Sequence, residues 1–198
     1  MFRMFIQLIL IGYALDFIFD TEHPLIVVAI LLIMLVAAGL IALRPLKVKT
    51  KTDYFISFLS VSSGGIPTLL IVIFAVVSLD PWYNPQYLIP LSGMIFANSM
   101  NAVSIASERL FVESQRQSDL KEIRATVLQA ALIPITNSLF AVGIVSLPGM
   151  MTGQILSGTS PLIAVRYQIM VMCMIFGSSG ISTAIYLTIQ LKRKRRVH

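Results

Sequence analysis

The sequence predicts an all-α, polytopic integral membrane protein with about six transmembrane helices and both termini in the cytoplasm. Three observations carry that prediction. Of 198 residues, 57% are hydrophobic and only 12% charged, against about 25% charged in an average soluble domain, and the mean hydropathy is +0.86. About six windows hold the ~20 apolar residues that a ~30 Å hydrocarbon core requires of a helix. Their Leu-rich and β-branched runs lack the period-two alternation of a membrane barrel. This pattern excludes a soluble globular enzyme and a disordered chain. A disulfide-rich secreted module is excluded too, because Cys173 is the single cysteine.

The predicted spans cover about 4–19, 24–43, 54–79, 87–106, 125–147 and 167–191. They leave no room for a soluble domain, so residues 1–198 form a single membrane domain with one sizeable cytoplasmic loop, 107–124. The first span is short and ends at Asp16–Phe19, before the acidic turn Asp20-Thr21-Glu22-His23. Arg3 and the apolar run after it superficially suggest a signal peptide, but Gly12-Tyr13-Ala14-Leu15-Asp16 is a poor cleavage site, which favours an uncleaved helix. In the third span Ser57, Ser60, Gly64 and Thr68 recur at helical spacing, a small-residue stripe where another helix backbone can approach. Pro67 removes a hydrogen bond from that helix and is expected to bend it.

Loop charge gives the orientation. Fourteen of the fifteen Lys and Arg fall on one side: Arg3, then Arg44, Lys47, Lys49 and Lys51, then Arg109, Arg116, Lys121 and Arg124, then the run 192–196. Only Arg166 lies opposite, on the side of Asp20, Glu22 and Asp80. Lys and Arg are retained in the cytoplasm, so that side is cytoplasmic. The terminal Lys-Arg run then serves as a topological anchor, and no nucleic-acid partner is expected.

The central parts of the spans contain no Asp, Glu, Lys, Arg or His. Ionisable groups there mark proton relays and ion paths, so a proton-driven pump built on buried carboxylates is disfavoured. Nor is there a phosphate-binding loop: Ser62-Ser63-Gly64-Gly65-Ile66-Pro67-Thr68 lacks the required lysine. The chain is therefore not expected to be an enzyme or to hold a cofactor, and active transport would draw its energy from a separate subunit.

Uncharged polar groups are the remaining candidates for function. Met94, Asn98 and Asn101 share one face of the fourth span, with Met100 beside them. An amide in hydrocarbon must find partners, which suits either an interhelical hydrogen-bond seam or a lined substrate path. The fifth span repeats the theme with Pro134 and Thr136-Asn137-Ser138, where the hydroxyls and amide are placed to satisfy a carbonyl freed by the proline. The charge-free, Gly-rich connector 147–161 predicts a short helix at the outer surface or a partly re-entrant segment. Met150 and Met151 lie in it, and Met170, Met172, Cys173 and Met174 lie in the last span. Thioethers suit soft metals and equally serve as flexible core filler. In the loop 107–124, Leu110, Leu120 and Ile123 suggest a helix along the membrane face. Glu113, Arg116, Leu120 and Arg124 would form a partner-docking surface there, the alternative being a solvated extension of the fourth span.

Specific strings carry a resemblance. Leu91-Ser-Gly-Met-Ile-Phe-Ala-Asn-Ser-Met-Asn-Ala-Val-Ser104 is similar to the Gly-Met-Ile-x-x-Asn-x-Met-Asn-Ala helix of FetB-type ABC transporter permeases. The run from Val145 to Gly158, with Leu147-Pro-Gly-Met-Met151 at its heart, resembles that family's signature, as do Ala130–Pro134, Val165–Met170 and Ile6–Tyr13. The family includes bacterial iron exporters and plant membrane proteins of aluminium tolerance. The resemblance implies a permease subunit that exports a metal ion such as iron and pairs with a separate ATP-binding subunit, where ATP and Mg would bind. It also implies a homodimer of permease chains in a bacterial inner or plasma membrane. Asn98, Met100, Asn101, Asn137, Met150 and Met151 are the candidate path or gate residues, with no metal assigned. Between Glu108 and Ala130 the chain is shorter than the family pattern and lacks its Leu-Gly-Ala-Thr segment. An ATP-independent channel and a truncated, non-transporting member are therefore the alternatives.

Overall fold

A computed structural model describes residues 2–19, 23–46, 49–116 and 119–195. Lys47, Asp20, Glu22 and Arg196, used above for topology, lie outside the described residues. The described residues form seven α-helices: α1 (Phe2–Phe19), α2 (Pro24–Ile41), α3 (Lys51–Ile71), α4 (Pro85–Arg116), α5 (Leu120–Ala141), α6 (Gly149–Leu156) and α7 (Pro161–Arg195). Among the described residues there is no strand, only an isolated bridge between Val142 and Ser146. This is a polytopic all-α membrane protein.

Among the described residues, five helical stretches are long and apolar enough to cross a bilayer: Pro24–Ile41, Lys51–Val77, Pro85–Arg116, Leu120–Ala141 and Pro161–Lys194. The first predicted span corresponds to α1, whose apolar part, Met4–Tyr13, is shorter. Leu15 and Ile18 of α1 reach the core, while Phe5, Leu8, Ile9 and Leu10 are exposed.

The other boundaries shift for local reasons. Thr50 and Asp53 close a reciprocal capping box that starts α3: the Asp53 amide donates to the Thr50 hydroxyl at 3.2 Å, and the Thr50 amide donates to the Asp53 carboxylate at 2.9 Å. The helix continues through Pro67, then widens into a π-helical extension, Val72–Val77, that stops at Ser78 in the left-handed region. At 32 and 35 residues, α4 and α7 are about 48 and 52 Å long and overshoot the hydrocarbon. Residues 107–116 accordingly continue α4, and 120–124 open α5, so no separate helix lies along the membrane face. The fifth span ends at Ala141 rather than 147 because Gly143, at φ +80, turns the chain and donates to the Ser146 carbonyl at 3.0 Å.

α4 and α7 form the centre: α7 packs against α3, α4, α5 and α6, and α4 against α2, α3, α5 and α7. Two glycines let neighbouring helix backbones approach closely. A Cβ at Gly64 would lie 2.6 Å from the Ser178 carbonyl oxygen of α7, and one at Gly39 would lie 3.0 Å from Cα of Phe58 on α3. The small-residue stripe thus serves two neighbours, since Ser57 donates to the Gly39 carbonyl of α2 at 2.8 Å while Gly64 seats α7. The buried hydroxyls of Ser60, Ser92, Ser107 and Ser178 instead turn back on their own helices, Ser60 to Ile56 at 2.7 Å.

One end of the bundle gathers the basic residues. There Arg193 of α7 bonds Asp53 of α3 at 2.7 Å, Gln190 donates to the same carboxylate at 3.2 Å, and Lys194 reaches the Ser114 carbonyl of α4 at 3.3 Å. The α4 start, α6 and the α7 start meet at the opposite end.

Candidate substrate path

Two cavities open between α4, α5, α6 and α7, toward the end away from the basic cluster. The deeper one, about 520 Å³, is lined by Met94 and Asn98 of α4, Ile135, Asn137 and Ser138 of α5, Met150 of α6, and Gln168, Val171, Met172 and Ile175 of α7. The turn 142–148 closes its side. The second, about 510 Å³, is lined by Gln86, Tyr87 and Met94 of α4, Met150 and Gln154 of α6, and Tyr167 and Met170 of α7. Met94 and Met150 line both and so form their shared wall. A third cavity of about 410 Å³, between α2, α3 and α4, has apolar side chains only and offers nothing to orient a polar solute.

Helical spacing produces this lining. Met94 and Asn98 are four residues apart on α4, Met150 and Gln154 on α6, and Gln168 and Met172 on α7, so each pair shares a face. The Gly143 turn and Pro148, which caps α6, bring Met150 back over the ends of α4 and α7. Thr152 fixes that start by donating to the Pro148 carbonyl at 3.1 Å.

The lining is largely apolar with a few polar groups, and it bears no Asp, Glu, Lys, Arg or His. The Asn98 amide nitrogen donates to the Met94 carbonyl at 2.8 Å, which fixes the side chain and leaves its carbonyl oxygen as an acceptor. Gln168 is 6% exposed, and its Oε1 has no hydrogen-bond partner. Gln154 Oε1 is likewise buried and unpartnered. Such acceptors in a low-dielectric interior are costly unless a solute or water uses them. Deeper in the bundle, the hydroxyls of Ser99, Ser179, Ser182 and Thr183 are also buried without partners. Among the described residues no three His, Cys, Asp or Glu side chains gather to hold a metal.

Of the predicted path residues, Asn98, Asn137 and Met150 come together on the deeper cavity. Met100 is half-buried against the core, Asn101 is exposed and Met151 is half-buried, and none of the three lines either cavity. Ser138 donates to the carbonyl of Pro134 itself at 3.0 Å, not to the Ala130 carbonyl that the proline frees. Of the predicted docking residues, Arg116 and Arg124 are exposed, Leu120 packs on the core, and Glu113 is buried, with Arg109 at 3.5 Å within α4. Gln168, Gln154 and Met172 escaped the sequence reading of the path. The available signal was an amide in an apolar helix, four residues from a methionine.

Comparison with known proteins supplies the family. The model of the uncharacterised protein family UPF0014 matches residues 1–194. The chain belongs to the UPF0014 membrane protein family. Among its UPF0014 relatives, a membrane protein of Synechocystis is 36% identical, covering 91% of this chain and 76% of its own length. The Escherichia coli protein named "Probable iron export permease protein FetB" is 34% identical over 94% of this chain and 77% of its own. Protein ALUMINUM SENSITIVE 3 of Arabidopsis thaliana is 33% identical over 93% and 72%. No solved structure matches the chain. Membership accords with a multi-pass protein of the membrane.

Proposed function

We propose that this chain is the transmembrane permease subunit of an ABC transporter, exporting a metal ion such as iron with energy from a separate ATPase subunit. The observation that carries the reading is a pair of cavities that have polar groups in their walls but no Asp, Glu, Lys, Arg or His to couple transport to a proton gradient. The E. coli relative named as an iron export permease supports the substrate class. In this reading the basic end is cytoplasmic, so both termini lie there and the two cavities face outward. ATP and Mg bind in the partner chain. Two permease chains pair, and closure of the ATPase subunits rocks α4 and α7 against their neighbours to open the path by alternating access. Arg116 and Arg124, exposed at the α4–α5 corner, are the docking residues that this arrangement leaves available.

The test is co-expression with a candidate ABC ATPase, preferably one encoded beside this chain, followed by co-purification and ATPase assay in nanodiscs. Binding and substrate-stimulated hydrolysis are expected. Metal flux through proteoliposomes holding this chain alone would replace the reading with a facilitator. Neither complex nor flux would leave a non-transporting membrane protein.

A further inference from the structure

The permease reading leaves open what kind of ion the path accepts, and the donor set narrows it. We infer that Met94, Met150 and Met172 form a thioether site for a soft monovalent cation of the Cu(I) class; the inference rests on the proposed metal export and replaces iron as the ion this path favours. The three methionines come from three different helices and line one cavity. A fourth methionine, Met170, lines the adjoining cavity together with Met94 and Met150. All of these methionines also touch the core, but Met34 and Met100 line neither cavity.

Charge decides between ion classes. Hard divalent cations take several oxygen ligands, carboxylates foremost, and neither cavity offers one. The desolvation cost of an ion rises with the square of its charge, so a bare divalent or trivalent ion would meet a large uncompensated penalty in this neutral lining. A singly charged ion meets the smallest penalty, and thioethers are neutral, polarisable ligands that select Cu(I) over oxygen-seeking metals. The buried, unpartnered Oε1 of Gln168 and the free acceptor of Asn98 complete the set with oxygen dipoles for a partly bound ion.

Ag(I) is the probe, because it shares the ligand preference of Cu(I) and does not change oxidation state. The full chain carrying Cys173→Ser, which removes the exposed thiol, is purified in nanodiscs without chloride and titrated by equilibrium dialysis. The expected result is saturable binding of one Ag(I) per chain that persists in an excess of Mn(II) or Fe(II). Loss of one outer-shell partner already weakens metal sites by about 10–100-fold, so Met94→Leu, Met150→Leu and Met172→Leu combined should lower affinity by more than about 100-fold. Leucine is near-isosteric with methionine, and Met34→Leu is the control that should bind as before. X-ray absorption at the silver edge on the unsubstituted methionine set reads the ligands directly, so the test survives a misfolded variant. Sulfur neighbours are expected. A shell of light atoms alone, equal loss in Met34→Leu, or displacement by Mn(II) or Fe(II) would each overturn the inference. A chain that stimulates its ATPase partner but binds no Ag(I) sinks this inference alone. One that binds Ag(I) but couples to no ATPase sinks the permease reading instead.

Discussion

Replacing Gly64 by alanine tests the packing on which the bundle depends. The added Cβ would lie 2.6 Å from the Ser178 carbonyl oxygen and 2.8 Å from the Ser182 amide nitrogen, with the Ser182 hydroxyl nearer still. Two of these atoms are α7 backbone and cannot rotate away. Ordinary contact begins at 3.4 Å, so α3 and α7 must separate by roughly 0.8 Å or the chain must distort locally. Overpacking of this kind costs about 1–3 kcal/mol, and alanine returns up to about 1 kcal/mol through better helix propensity. The net loss is about 1–2 kcal/mol, a roughly 5- to 30-fold fall in the folded-to-unfolded ratio. The matched control is Gly180→Ala on α7, where a Cβ would meet nothing within 4 Å; it should be neutral or stabilising by up to about 1 kcal/mol. Both are measured by reversible unfolding in mixed micelles, followed through helicity and the single tryptophan, Trp82. Equal stability of the two variants would refute the close α3–α7 approach at Gly64.

Other substitutions separate roles that composition leaves merged. Ser57→Ala removes the buried bond to the Gly39 carbonyl and should cost about 1 kcal/mol, whereas Ser60→Ala, which removes only a back-bond within α3, should be near neutral in the same unfolding assay. Asp53→Ala loses the capping box together with Arg193 and Gln190, for about 1–2 kcal/mol. Arg193→Gln should cost less than about 1 kcal/mol, because the Arg193 side chain is 42% exposed and water screens the pair. Asn98→Ala, in the cavity wall, should slow reconstituted export about tenfold if its acceptor contributes about 1.5 kcal/mol at the barrier. Asn101→Ala, outside both cavities, should leave the rate unchanged; the reverse order would move the path to the other face of α4.

Much of the architecture was readable because hydrocarbon thickness imposes one length on every span. Hydropathy finds only the part of a helix that sits in lipid, however. Beyond it, α4 continues through Ser107, Glu108 and Arg109, too polar for a hydropathy window to include, so the sequence alone leaves open both a surface helix and an extension of the fourth span. The end of α5 was misplaced for the opposite reason: Ile144 and Val145 are apolar enough for a span, but Gly143 turns the chain before them. In the path, spacing along one helix placed Asn98 on a definite face. That Asn98, Asn137 and Met150 meet depends on how α4, α5 and α6 are set side by side, which no periodicity within a helix encodes. Gln168 was overlooked because attention to formal charge passed over an amide whose buried oxygen has no partner. The stripe on α3 was visible as small residues, yet its division between α2 and α7 follows from the geometry of the two neighbours.

The widened turn at Val72–Val77 gives α3 a property that an unbroken α-helix lacks. Each of its amides reaches one residue farther back than in an α-turn, so the segment stores the equivalent of a single inserted residue while the helix on its inner side keeps its register. Such a dislocation can travel, exchanging one hydrogen bond at a time without unzipping the rod. Every step rotates the residue it passes by about 100°. Val77, at its outer rim, borders the second cavity, so a one-residue slide would change the wall of that cavity while Ser57 and Gly64 stay locked against their neighbours.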